Sequence, residues 1–296
     1  MCNVMKFVKF TKKKFMREVI NEISDTDILR CNKQYKSKIK DKRFYIKLCL
    51  LIWNTYTFET KEDKLLYDSH VPFFLGINGS VTSGKSLLAK ELSEIFKCFP
   101  SKPKVMILST DDFLYSNKVL KKKGIENKKG FPVSYNWKKL FLAFKKIKDN
   151  KSFKIPMYNH NISDIDPKKK QKIPNKLDIV IVEGINILKP YCKGNFDRIL
   201  LSDYLDYSIF IDAKERNFKK WFLDRLTQKK KYWKKKKIKK NFTRKNKKEF
   251  KTFANKIWNS INSVNLKKHI HPYRKRSDLI IYKTSDHEIK YLEFRL

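Results

Sequence analysis

The chain has 296 residues, 41% of them hydrophobic, which allows one large α/β domain or two small ones and supplies a sizeable core. Lys and Arg number 70 against 30 Asp and Glu, a net charge of +40. Such a charge could reflect a polyanionic partner, but Lys, Asn and Ile recur throughout, even inside helices, as an AT-biased genome would produce, and no specific nucleic-acid partner is expected. The five cysteines, Cys2, Cys31, Cys49, Cys98 and Cys192, are scattered and the five histidines form no zinc pattern, which excludes a zinc module and points to a reducing, cytoplasmic compartment.

Met1 to Phe15 alternates Lys with apolar residues and never forms the apolar core of a signal peptide. The apolar run Leu48 to Trp53 is too short to span a bilayer, so no membrane partner is expected. Phe10 to Tyr56 reads as helical. Phe15, Val19, Ile20 and Ile23 repeat at helical spacing, Ser24-Asp25 can cap a short helix, and Phe44, Leu48, Leu51 and Ile52 mark a longer one. Residues 1–71 are therefore expected to form an N-terminal helical segment packed on the core.

The next stretch carries the chemistry. Phe73 to Ile77 is apolar and long enough for a buried strand, and Leu88, Leu92, Ile95 and Phe96 share one helical face. Between them Gly79, Ser80, Val81, Thr82, Ser83, Gly84, Lys85 and Ser86 satisfy G-x-x-x-x-G-K-[ST] in the strand–loop–helix context that motif requires. Gly79 and Gly84 let the backbone curl until several N–H groups face one anion, and the helix N-terminus adds its positive end. Lys85 can reach the β- and γ-phosphates of a nucleotide, and the Ser86 hydroxyl can hold Mg²⁺. The motif predicts an ATP site without fixing the acceptor.

Further on, Val105 to Leu108 is a second buried strand followed by Ser109-Thr110-Asp111-Asp112-Phe113. Acidic residues at that end of a parallel strand can act as base or metal ligand; of Asp111 and Asp112, one is expected to be chemical and the other local. Trp137 to Lys148 reads as a helix, and Ile155 to His160 as an extended aromatic segment offering Tyr158 and His160 to a substrate. Leu177 to Val182 is a third strand ending at Glu183, a Walker-B-like carboxylate placed to bind Mg²⁺ directly or through water. Ser208 to Ile211, Asp278 to Tyr282 and Tyr291 to Arg295 complete the strands. Lys214 to Lys231 reads as a helix bearing Arg216 and Arg225, and Lys229 to Lys240 as a mobile cationic lid anchored by Tyr232 and Trp233. Asn246 to Leu266 reads as a long helix whose stripe, Phe250, Phe253, Ile257, Ile261 and Val264, is either core or a dimer face. Strands alternating with helices imply an α/β, P-loop NTPase-like three-layer fold, a mostly parallel sheet with helices on both faces.

Taken in order, GSVTSGKS, STDDFLYSN, KKGFPVSYN, PMYNH, VEGIN, LLSDYLDYSIFIDA, IWNSINSVNL and HPYRKRSDLI resemble the motifs of type I, bacterial-type, pantothenate kinases from about Pro72 to the C-terminus. The resemblance implies a P-loop kinase domain over 72–296, with a lid at about 226–246, that phosphorylates pantothenate with ATP and Mg²⁺. It assigns Lys85 and Ser86 to ATP phosphates and Mg²⁺, Asp111 to the proton of the pantothenate hydroxyl, and Arg225 to the transferring phosphate. It assigns Tyr158, His160, Phe222 and Asn265 to the pantothenate pocket, and Lys283 and His287 to the neighbourhood of adenine. It further implies a homodimer inhibited by coenzyme A in competition with ATP, with Lys90 facing that inhibitor where the family has Arg. Asp112 stands where the family carries Gly, Ser163 and Phe222 where it carries Tyr, and Lys229 where it carries an aromatic residue. Two other readings compete: a uridine-kinase-like enzyme acting on another small alcohol, and a non-catalytic nucleotide- or nucleic-acid-binding protein.

Overall fold

The computed structural model describes residues 6–18, 35, 39, 41–67, 70–193, 197–237 and 243–296. The Val19, Ile20 and Ile23 repeat and the Ser24-Asp25 cap lie outside them, as does the end of the lysine run, 238–240. In chain order the elements are β1 (Phe7–Thr11), α1 (Lys12–Glu18), α2 (Lys42–Tyr67), β2 (Phe73–Gly79), α3 (Lys85–Phe96), β3 (Val105–Ser109), α4 (Asn117–Lys122), α5 (Trp137–Lys148), β4 (Phe153–Asn159), β5 (Asp164–Ile173), β6 (Ile179–Glu183), β7 (Tyr191–Lys193), β8 (Asp197–Ile199), β9 (Tyr207–Ala213), α6 (Glu215–Lys235), α7 (Lys247–Ile257), β10 (Leu279–Lys283) and β11 (Ile289–Arg295).

A 7-stranded sheet in the order β1-β11-β10-β9-β2-β6-β3 forms the middle layer. From β10 to β3 every neighbouring pair is parallel, and β11 and β1 close one edge antiparallel. The inner strands are continuous apolar runs because both faces are covered. Leu75, Ile77, Ile181 and Ile211 point to one side, against α2 and α3, where they meet Phe44, Leu48, Leu92 and Phe96. Phe74, Val180 and Val182 point to the other, against Leu140, Phe144 and Ile147 of α5. A third cluster packs Phe210 and Ile280 against Phe218 and Trp221 of α6 and Trp258. The three-layer arrangement agrees with the expectation. Among the described residues no helix is long and apolar enough to cross a membrane.

Three departures matter. The N-terminal segment is not wholly helical: Phe7–Thr11 is a strand whose Phe10 pairs with Leu292, and this pairing extends the sheet by one edge. Phe15 follows on α1, wholly buried between Phe44, 5.5 Å away, and Phe294, 6.0 Å away. Phe15→Ala is expected to destabilise the protein by about 3–5 kcal/mol, the usual cost of emptying an aromatic core site, as read by urea unfolding. A loss below about 1 kcal/mol would show that this segment contributes little to the fold.

Secondly, the lysine run does not begin as a loop. α6 continues to Lys235, burying Trp233, whose indole N–H donates to the Asn161 carbonyl at 3.0 Å. Lys229 and Lys230 turn their ammoniums to the carbonyls of His160 and Lys245, at 3.1 and 2.6 Å, which takes charge off the helix surface. Thirdly, the helix after Asn246, started by an Asn246–Glu249 capping box, passes through π-helical turns at Trp258–Asn262 and Leu266–Ile270. The wider turns rotate the inward face. Phe250, Ala254, Trp258, Ser263, Asn265, Leu266 and Ile270 are buried, whereas Phe253, Ile257, Ile261 and Val264 are only half-buried.

Candidate active site

The parallel strands all deliver their C-terminal ends to one edge of the sheet, where ligands bind in such folds. β2 lies between β9 and β6 there, and its last residue, Gly79, opens the glycine loop. A Cβ on Gly79, whose φ is +146°, would stand 2.6 Å from the Ile211 carbonyl. Gly84, with φ +95°, caps α3 from the left-handed region without a side-chain bond, leaving its first amides open to an anion. Thr82 also takes a positive φ. The hydroxyls of Ser80 and Ser83 are buried with no partner among the described residues.

Lys85 is only 7% exposed, and its ammonium donates to the Ser80 carbonyl across the loop at 2.7 Å. Burial lowers its pKa; Glu183 and Asp111 work in the opposite direction. Register places Glu183 on β6 level with Ile77 and Ser109, so its carboxylate spans the two strand ends. Ser86 donates to Glu183 Oε2 at 3.2 Å and Ser109 to Oε1 at 2.8 Å. Gly184 is required next, since a Cβ there would fall 2.0 Å from Thr110 Oγ1.

Beyond β3 the chain makes a 3₁₀ turn, Thr110–Phe113, that begins with the Asp111 amide on the Ser109 hydroxyl. Burial first, and the neighbouring Glu183 second, push the Asp111 carboxyl up to about 6, against the pull of Lys85, Arg225 and Lys129. Asp111 lines a cavity of about 240 Å³ with Lys85, Ser86, Glu183, Arg225, Tyr158, His160 and Phe222. A second cavity, about 690 Å³, lies on the other side of the loop among Gly84, Leu87, Trp221, Asp224, Gln228 and His287. The two share Thr82, Lys85, Ser86 and Arg225. They are lobes of one cleft, and the shared residues are those suited to a phosphoryl group passing between them.

Tyr158 and His160 meet edge-to-face at 5.1 Å on the smaller lobe, and burial lowers the His160 pKa, with Arg225 and Lys229 adding to the effect. Phe222 packs against Trp258, ring centres 5.7 Å apart. On the larger lobe His287 stacks on Trp221 at 3.9 Å. Asn265 and Lys283 are placed differently: each braces the cleft from beneath. The Asn265 carboxamide donates to the Gly130 carbonyl at 2.9 Å, with its own oxygen buried and without a partner among the described residues. Lys283 donates to the Ser83 carbonyl at 3.1 Å, its pKa pushed down to about 8 by burial and by Lys85. Lys90 is exposed on α3 and lines neither lobe.

Lys129 and Asn186 belong to the site and were not singled out by the sequence. The Lys129 ammonium lies 5.2 Å over the Tyr158 ring while donating to Asn117 and to the Ser163 carbonyl, both at 2.6 Å. Asn186 donates to the same Gly130 carbonyl as Asn265, at 3.0 Å. One lysine among so many gives no signal; Asn186 sits three residues after Glu183 and was legible only as part of VEGIN.

Residues 74–256 match the model of the phosphoribulokinase / uridine kinase family. The pantothenate kinase of Streptococcus gordonii is 38% identical over 226 residues, covering 74% of this chain and 71% of its own. That of Coxiella burnetii is 36% identical over 233 residues, covering 76% and 72%. Among solved structures, D-glycerate 3-kinase from Cryptococcus neoformans superposes with a TM-score of 0.57 at 14% identity, over 82% of this chain and 97% of that one, which supports the fold alone. The cleft built on the glycine loop is therefore that of a kinase, and the chain belongs to the phosphoribulokinase / uridine kinase family, among its bacterial-type pantothenate kinases.

Proposed function

We propose that the protein transfers the γ-phosphoryl group of ATP to the primary hydroxyl of pantothenate, giving 4'-phosphopantothenate at the entry to coenzyme A biosynthesis. The observation that carries this reading is the shared wall of the two lobes. Lys85, Ser86 and Arg225 border both, and Asp111 borders only the smaller, acceptor lobe.

Each residue then has a role set by its place. The loop amides and Lys85 hold the phosphates, and Arg225 balances charge spreading over the transferred group. Asp111 aims the hydroxyl and takes its proton late, as a loose transition state requires. Tyr158, His160 and Phe222 wall the pantothenate, and Asn265 serves it either through the Gly130 carbonyl or by its free oxygen. The Trp221–His287 stack offers adenine a flat neighbour, and Lys283 steadies the loop. Ser86 and Glu183 present oxygen donors 3.2 Å apart, a fit for Mg²⁺, which takes one or two protein oxygens beside phosphate and water. Bound there, Mg²⁺ would neutralise charge on the β- and γ-phosphates. Coenzyme A competing for the ATP lobe, a homodimer formed through the half-buried Phe253, Ile257, Ile261 and Val264, and a cytoplasmic location belong to the same reading.

The test is ADP release from ATP and Mg²⁺ with pantothenate or with uridine, each with and without coenzyme A. Turnover with pantothenate alone, suppressed by coenzyme A and relieved by more ATP, is expected. Turnover with uridine and none with pantothenate would decide for the other branch of the family.

A further inference from the structure

The hairpin β4–β5 carries Tyr158 and His160 to the acceptor lobe, yet it is no part of the central sheet. Something else must fix its distance from Asp111. β5 pairs with one edge of β4, with a register shift at Pro156/Met157. The Tyr158 amide is satisfied elsewhere: it donates to Asp112 Oδ1 at 2.6 Å. Other ties hold the tip and the stem of the hairpin, among them Lys229 on the His160 carbonyl at 3.1 Å and Lys129 on the Ser163 carbonyl at 2.6 Å. They come from other elements, whereas the Asp112 bond joins β4 to the turn that bears Asp111. Gln171 donates to the Ile107 carbonyl at 3.3 Å, Asn117 N to Asp164 at 2.9 Å, and Trp233 to the Asn161 carbonyl at 3.0 Å.

A 3₁₀ turn sends consecutive side chains about 120° apart. Asp111 accordingly enters the acceptor lobe, whereas Asp112 borders a separate cavity among Phe113, Val119, Leu142, Phe153 and Pro156. Asp112 is 8% exposed, and burial pushes its carboxyl up to about 7 against the Tyr158 amide, which pulls it down. Burying a carboxylate is costly, and the bond to Tyr158 is its visible compensation.

We propose that Asp112 is a positioning residue for the acceptor substrate: through the Tyr158 amide it sets the distance between the substrate wall and the Asp111 carboxylate on the adjacent residue. The proposal rests on the acceptor-lobe reading given above. Two neighbouring carboxylates on one short turn thus divide the work, one facing the hydroxyl and the other holding the strand that holds the substrate.

The experiment is steady-state kinetics of Asp112→Ala and Asp112→Asn beside the wild type. Asp112→Ala is expected to raise KM for pantothenate about tenfold, the loss of one charge-assisted hydrogen bond, and to lower kcat because the distance to Asp111 is no longer held, with KM for ATP within about twofold. Asp112→Asn retains an acceptor oxygen and is expected to bring KM for pantothenate back to within about threefold of wild type. An unchanged pantothenate KM in Asp112→Ala, or equal rises in both substrates' KM, overturns the proposal. Should Asp112→Ala fail to fold, Asp112→Glu carries the test, because one more methylene displaces β4. A selective rise in acceptor KM supports the role and an unchanged value removes it. Wild-type turnover in the same assay checks the assigned substrate separately: if another alcohol is the one phosphorylated, the comparison is made with that alcohol and the role of Asp112 is decided there.

Discussion

Lys85→Met is expected to lower kcat/KM by at least about 10²–10³-fold, the loss that follows removal of one preorganised charged donor from a developing anion. Met keeps the length and flexibility of the lysine stem and removes only the ammonium. The effect falls mainly on chemistry because of how Lys85 is held. It is buried, its charge is disfavoured by burial, and in the empty cleft it is compensated by the Ser80 carbonyl and by the fields of Glu183 and Asp111. Removing the ammonium ends its burial penalty but leaves Glu183 and Asp111 without that cation, so the melting temperature is expected to fall by a few degrees at most, with the protein still folded. The substitution removes the Lys85 bond to the Ser80 carbonyl, but the loop keeps Gly79, Gly84 and the Lys283 bond to the Ser83 carbonyl. Kinetics and a thermal melt on the same preparation check both halves. Activity within tenfold of wild type would mean that the phosphates are held by the loop amides and Arg225 alone.

What could be read in advance was what local sequence dictates. β2, the glycine loop and α3 followed from the apolar run, the two glycines of the motif and the apolar face of Leu88, Leu92 and Phe96, and both glycines take a positive φ. What could not be read depends on partners distant in the chain. Phe7–Thr11 is a strand because Tyr291 to Arg295 offers it an edge; FVKFT is rich in β-formers, but the distant partner that decides between strand and helix cannot be read from it. β5, which reads DIDPKKKQKI, has its two β-formers, Ile165 and Ile173, only towards its ends and Pro and Lys between them, and exists by pairing with β4. The stripe on the helix after Asn246 was read at an α-helical period, and the π turns displaced it. The choice between Asp111 and Asp112 was open because a 3₁₀ turn, not a strand or α-helix, decides which carboxylate enters the cleft. Asp112, the departure from the family's glycine, adds its charge not beside the substrate but behind the strand that walls it.

Asp111→Asn is expected to lower kcat by about 10²–10⁴-fold, the range typical of a positioned acid–base group, while ATP still binds. Asn preserves shape and can still accept a hydrogen bond from the substrate hydroxyl, so the loss reports proton acceptance and the field at the reacting oxygen rather than a gap in the wall. The pH profile supplies an independent check. The Asp111 carboxyl is held up to about 6 by burial and by Glu183, so the proton acceptor is lost as pH falls through that value and gained as it rises. The acid limb of kcat/KM in the wild type is accordingly expected near pH 6, well above the ordinary carboxylate range, because kcat/KM reports the free enzyme. Asp112, with its carboxyl pushed up to about 7, adjoins it, so the limb is read again in Asp112→Asn, where the neighbouring titration is gone and the limb near 6 should remain. The residual rate of Asp111→Asn should lack that limb. A wild-type profile flat down to pH 4.5, or an Asp111→Asn enzyme retaining the wild-type limb, would take proton acceptance away from Asp111 and leave Glu183 as the carboxylate to examine.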